Sequence, residues 1–168
     1  MSSVLPDVVM GYLYSERGSA RRAAMVAFLA QGWHMALFGT PLFAGKIYVR
    51  PDGQIRIITP DSYAEESAGP APMLEAPSAE LLDMLRAHYH KLSEAELQAF
   101  VATEICLMEP VFARISVLQR QLGEGVREIS EQSLKARFMA KLDAGGTLCT
   151  APHVPEIDML DILPASRL

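Results

Sequence analysis

The stretch "AQGWHMALFGTPLF", Ala30 to Phe43, decides how this chain is read. It carries the only tryptophan, Trp33, directly before His34, and then breaks at Gly39 and Pro41. Upstream, Ala23, Val26, Ala27, Ala30, Trp33 and Leu37 recur at steps of three and four, which predicts an amphipathic helix. Ser19 offers the N-cap oxygen. Gly39 suits a left-handed C-cap, and Pro41 cannot continue the helix. His34 therefore falls in a last helical turn. Two readings of it stay open: a residue that satisfies terminal carbonyls and complements the helix dipole, or a functional contact in a cleft beside Trp33.

Outward from this helix the pattern changes type. On its N-terminal side, "LPDVVMGYLYSERG" places Val8, Val9, Tyr12 and Leu13 at helical spacing, with Gly18 after the end. On its C-terminal side, "KIYVRPDGQIRIIT" is the clearest strand signal. Two runs, Ile47 to Arg50 and Gln54 to Thr59, flank Pro51-Asp52-Gly53, which is strong turn chemistry. "SAGPAPMLEAPS" then reads as an exposed connection. The second half is helical again. Leu81, Leu82, Leu85 and Tyr89 share one side of a helix. Ser93 to Glu96 is a capping box that opens a stripe of Leu97, Val101, Ile105 and Met108. Pro110 ends or kinks that helix, or opens a new one. Val111, Ile115, Leu118 and Leu122 continue helically to Gly123. Ser130 caps the last helix, and periodicity is lost from Gly145 onward.

With 168 residues, half of them hydrophobic, the chain suits one domain with a short tail. No apolar run is long enough for a membrane span, and the N-terminus lacks the layout of a secretory signal. Cys106 and Cys149 are too far apart in sequence to suggest a disulfide framework or a metal knuckle, which fits a cytoplasmic protein with reduced thiols. A net charge of −5 disfavours binding to nucleic acid, and the short cluster Arg17, Arg21, Arg22 reads as a solvated helix face.

Few residues suggest chemistry. His88 and His90 flank Tyr89, a spacing that points two helical side chains apart and does not build a metal site. Cys106 lies among apolar residues and reads as a small buried hydrophobe. Cys149 sits near His153 in a loose segment, where a reactive dyad stays open as an alternative. Gly123 to Gly125 lacks the strand and third glycine of a dinucleotide loop, and there is no nucleophile elbow. The residues favour a binding protein over an enzyme, with no cofactor and no metal.

Three segments in order carry a resemblance. Gln31, Gly32, Trp33, His34, Ala36, Gly39, Pro41, Leu42 and Phe43 match the signature of the Panacea (SocA-like) antitoxin domain family. Tyr89, Leu92, Ser93, Glu96 and Leu97 match its "Tyr-x-Lys-Leu-Ser-x-x-Glu-Leu" segment. Ile129, Ser130, Leu134 and Phe138 match its last helix. This chain departs from the pattern at Thr103-Glu104, where the family usually has Thr-His, and at Pro110-Val111, where it often has Pro-Trp. After Phe43 the hairpin segment replaces a Gly-Pro-Val run. The resemblance implies an antitoxin that binds and neutralises a cognate toxin. One antitoxin of that family does so as a proteolytic adaptor for ClpXP, which makes ClpX a second implied partner.

The expectation is therefore a predominantly α-helical α+β fold of five to seven helices with one small antiparallel β-hairpin. Residues 1–142 form the SocA-like domain, and residues 143–168 form a partly flexible acidic, apolar tail. Arg50, Asp52 and Arg56 on the hairpin, and Met159, Leu160, Ile162 and Leu163 in the tail, are the expected contacts to toxin or protease. The alternatives are a small enzyme or nucleotide-binding protein using a cleft near Trp33-His34, and a DNA-binding autoregulator.

Overall fold

In the computed structural model, residues 4–14, 19–59, 73–110 and 125–146 are described. They form α1 (Pro6–Leu13), α2 (Ala20–Phe38), β1 (Lys46–Val49), β2 (Ile55–Ile58), α3 (Ala76–Tyr89), α4 (Glu94–Met108), β3 (Arg127–Ile129) and α5 (Glu131–Asp143). The fold is α+β and predominantly helical, with a small antiparallel sheet.

The sequence pattern predicts an amphipathic α2, but every residue from Ala23 to Leu37 is buried. This run contains no charged side chain, so no face of the helix requires water. Helices α1, α3, α4 and α5 all pack on it. Small residues permit that approach. At Gly32 an added Cβ would lie 2.4 Å from Phe138 Cδ2, so α5 sits directly on the α2 backbone. Trp33 meets the same ring edge-on at 5.2 Å between centroids. The ends follow the sequence. Ser19 accepts from the Arg22 N–H, and Gly39 closes the helix at φ 78°.

The hairpin turn is a type I turn with a glycine bulge. The Gly53 N–H donates to the Arg50 carbonyl, and the Arg50 N–H donates to the Gln54 carbonyl. Gly53 needs its freedom twice: its φ is 84°, and a Cβ there would lie 2.5 Å from the Gln98 carbonyl oxygen of α4. The strands run Lys46–Val49 and Ile55–Ile58, because Arg50 and Gln54 close the loop. A third strand, β3, pairs with β1 through Ile47↔Ile129, giving the order β2-β1-β3. The single hairpin expected from sequence thus becomes three strands. A three-residue strand running straight into a helix cap leaves too little alternation to read.

Two other expectations are corrected. Helix α3 begins at Ala76, with Pro77 in its first turn, so the Pro/Ala/Ser connection is shorter than its composition suggests. Arg22 is not on a solvated face. Its guanidinium donates to the Tyr89 carbonyl at 2.9 Å and to the Leu92 carbonyl at 2.9 Å, capping α3. Arg21 is exposed, 3.9 Å from Glu94. Cys106 is half-buried against the core rather than enclosed by it. The expected helix over 111–122, and Arg17, Gly123, Cys149, His153 and the tail residues Met159, Leu160, Ile162 and Leu163, lie outside the described residues.

Candidate functional site

The motif around Trp33-His34 is an internal framework. Gln31, 1% exposed, holds the chain after α2 with both ends of its amide. Its Oε1 accepts from the Leu42 N–H at 2.8 Å and the Phe43 N–H at 3.1 Å, and its Nε2 donates to the Phe43 carbonyl at 3.1 Å. That fixes Leu42 and Phe43 in the core and aligns Phe43 beside Val4 in a parallel bridge. Pro41 turns the chain into this segment. Trp33 is fully buried, and its Nε1 finds no acceptor. It serves the core as a large apolar ring.

His34 contacts Thr40 and Ser78. Its Nδ1 lies 2.7 Å from the Thr40 carbonyl and its Nε2 lies 3.0 Å from Ser78 Oγ. A carbonyl only accepts, so Nδ1 carries the proton and Nε2 accepts from the serine hydroxyl. Burial pushes the His34 pKa below 6.5, and the carbonyl bond and the Glu75 charge oppose that shift only partly. The ring is therefore neutral near pH 7. It satisfies a carbonyl just past the helix end, as one sequence reading has it, but it brings no charge to the helix dipole. His34, Glu75 and Ser78 also line a cavity with Pro41, Leu42 and Leu74. The cavity's volume is about 10 Å³, space for about one water molecule and not for a substrate.

The later motif segments serve packing and helix capping too. Tyr89 is fully buried. The capping box is complete: the Ser93 N–H donates to Glu96 Oε2 at 2.8 Å, and the Glu96 N–H donates to Ser93 Oγ at 3.2 Å. Ser130 caps α5, and Leu134 and Phe138 are buried. The departure at Thr103-Glu104 has a structural counterpart. Glu104, 3% exposed, receives Arg137 Nε at 2.7 Å and Lys141 Nζ at 2.6 Å from α5. A buried carboxylate between two cations is a structural clamp between α4 and α5. His88 is fully buried, and both of its ring nitrogens lack partners. Burial and the nearby Lys91 charge push its pKa down. Among the described residues, no three His, Cys, Asp or Glu side chains converge as a metal site.

One surface available to a partner is the outer face of the sheet. Ile47, Val49 and Ile129 point into the core, so alternation turns Lys46, Tyr48, Arg56, Ile58 and Glu128 outward. A groove of about 420 Å³ runs there, lined by Tyr48, Arg50, Gln54, Ile55, Arg56, Ile58 and Val126. The structure thus brings together two of the residues expected from sequence, Arg50 and Arg56. It assigns the third differently. The Asp52 carboxylate accepts from the Gln54 N–H at 3.1 Å and sits 3.7 Å from Arg50 Nε, while its carbonyl accepts from Gln98 at 2.6 Å. Asp52 builds the turn. Tyr48 and Ile58 follow from the period of two through Lys46–Arg50 and Arg56–Ile58. Val126 carries no such signal.

No family model, curated protein or solved structure matches this chain. Among the described residues, no helix is long and apolar enough to cross a membrane.

Proposed function

We propose that this chain is a Panacea-type antitoxin of the cytoplasm that binds a cognate toxin and neutralises it as an adaptor, delivering it to ClpXP. The observation that carries the reading is how the three motif segments pack. Residues 31–43, 89–97 and 129–138 gather around α2, through the Gln31 clamp, the Arg22 cap on Tyr89 and Leu92, and the Trp33–Phe138 contact. A motif whose side chains go into caps, a backbone clamp and core packing identifies a scaffold. It leaves function to the surface, which suits a protein that acts by binding. An interface of about 1,600 Å² in total is a small part of such a surface. A tail segment that engages the protease while the domain holds the toxin would raise the local concentration of cargo.

Co-expression with the toxin encoded by the neighbouring gene tests the reading. Growth is expected to be rescued and the two proteins to co-purify; a toxin that still kills and does not co-purify refutes it. Deletion of residues 147–168 separates the two modes. An adaptor without its tail still binds toxin but no longer speeds its degradation by purified ClpXP. Unchanged degradation refutes the tail as tether, and no acceleration by the full chain refutes the adaptor form.

A further inference from the structure

The groove on the outer sheet face gathers polar side chains that folding leaves unspent. The register sets Tyr48 opposite Arg56. At the next outward position the Arg50 N–H donates to the Gln54 carbonyl, so Arg50 stands beside Gln54. All of these side chains line the groove. They occupy the corners of a block about 5 Å wide and about 7 Å long. The two arginines share one diagonal of it, which long side chains can span. Among the described residues, the Tyr48 hydroxyl, the Gln54 side-chain amide and the Arg56 guanidinium make no hydrogen bond or ion pair. Arg50 Nε lies 3.7 Å from Asp52 and finds no hydrogen-bond acceptor. Other half-buried cations are spent: Arg22 caps α3, and Arg137 and Lys141 hold Glu104.

The apolar lining runs across the same face. Lys46 pairs with Ile58 on one side. Val49 pairs with Arg127 on the other, so the register carried one residue further sets Val126 beside Arg50. Ile58, Tyr48 and Val126 therefore follow one another along a diagonal of the sheet, with Tyr48 in the middle. Ile58 is 40% exposed and Val126 53%. Arg50, Gln54 and Arg56 lie on one side of that diagonal. Glu128, opposite Tyr48 on β3, lies on the other and is held by Lys46 at 3.5 Å. The groove is thus an apolar stripe with a cationic corner on one flank. Its volume of about 420 Å³ falls within the range of about 300–1,000 Å³ common to small-molecule clefts.

We propose that this groove binds a small organic anion. Its aromatic body stacks over Tyr48, with Ile58 and Val126 on either side, and its carboxylate or phosphate-ester head sits between Arg50 and Arg56. A guanidinium fork matches either head through paired N–H bonds, and the Gln54 amide adds a further donor. Glu128, beyond Tyr48, keeps the head on the arginine side. The net charge of −5 repels anions from the rest of the chain, so binding is confined to this corner. Two neighbouring guanidiniums serve one head group, not the run of phosphates that a nucleic acid presents. This ligand chemistry is independent of the antitoxin reading.

The test titrates the full chain with phenyl phosphate and with phenylacetate, following backbone amide shifts by NMR. The amides of Tyr48, Arg50 and Arg56 are expected to move, and at least one anion to bind with a Kd below about 1 mM. The tighter of the two identifies the head group. Inorganic phosphate lacks the body and benzylamine reverses the charge, so each should bind at least about tenfold more weakly. Arg56→Gln should weaken the better anion at least about tenfold, and Arg56→Lys less, since lysine keeps the charge without the fork. Lys135→Gln on α5 should leave the affinity unchanged. Unfolding midpoints of these variants should match the parent, since both positions are exposed. Added sodium chloride should weaken the anion. The proposal is overturned if neither anion binds below about 1 mM, if inorganic phosphate or benzylamine binds as tightly as the better anion, or if that affinity survives Arg56→Gln. Toxin rescue is read separately. Rescue by a chain that ignores both anions overturns the groove and leaves the antitoxin reading standing. Arg56-dependent anion binding without rescue supports the groove and overturns that reading.

Discussion

Replacing Gln31 with methionine keeps the length of the side chain and removes all of its hydrogen bonding. Three backbone groups lose their partner: the N–H groups of Leu42 and Phe43, and the Phe43 carbonyl. Leu42 is 3% exposed and Phe43 fully buried, so water does not readily replace the amide. At about 1–2 kcal/mol for each stranded group, the loss comes to about 3–6 kcal/mol. Domains of ordinary stability hold about 5–15 kcal/mol in total, so the variant should be marginal. With a urea dependence of about 2 kcal/mol per molar, the unfolding midpoint should fall by about 2 M. Trp33 is the only tryptophan and is fully buried, so its fluorescence reports the transition directly. Gln132→Met on the exposed side of α5 is the matched control and should move the midpoint by less than about 0.5 kcal/mol equivalent. If Gln31→Met falls within the range of that control, the amide is not holding the chain after α2, and the account of the motif as a framework is wrong.

Other substitutions probe the close approaches and the buried charges. Gly32→Ala drives a methyl group into the Phe138 ring and should cost about 1–3 kcal/mol; combining it with Phe138→Leu should cost clearly less than the sum of the two, as a double-mutant cycle in urea would measure. Gly53→Ala combines a positive φ with a clash against Gln98 and should cost about 1–3 kcal/mol, with amide exchange rising first in the hairpin. Stability should also fall as pH drops below 6.5, because His34 and His88 both have folded pKa values under that figure while the unfolded chain takes up protons there. Midpoints between pH 7.5 and 5 should show this slope, and His88→Leu should make it shallower while leaving stability at pH 7.5 equal or higher, since the ring nitrogens it removes are unpartnered. A slope of opposite sign would refute the assignment of both rings as neutral.

The elements legible in the sequence are those whose signals are local. Ser19, Ser93 and Ser130 each cap the helix that follows, and Gly39 and Gly53 take the positive φ that their turn chemistry demands. What stayed hidden depends on partners far along the chain. Strand β3 exists because Ile129 pairs with Ile47, and nothing within residues 127–129 announces it. Arg22 looks like a surface charge until the end of α3 arrives beside it. The three- and four-residue stripe on α2 was real but understated, since the absence of charge from Ala23 to Leu37 is the stronger signal of a helix buried all round. At the candidate site, the turn and its two arginines were legible, and the groove was not, because Val126 joins it from the residues just before β3.

This division separates two classes of variant that a binding screen would otherwise mix. Gln31, Trp33, His34 and Tyr89 are buried and none of them lines the groove on the outer sheet face, so their substitution should weaken a partner by lowering the folded fraction. Such losses should track the unfolding midpoint and recover on cooling toward the temperature of maximum stability. Arg56 is exposed and bears on no core contact, so its loss should weaken binding at constant midpoint and be mimicked by added salt, which screens exposed charges. Plotting affinity against midpoint for both groups therefore decides whether the buried motif or the hairpin of this chain meets the partner. If Arg56 variants lie on the stability line with the core variants, or if a core variant loses binding while fully folded, the sheet face is not where the partner sits.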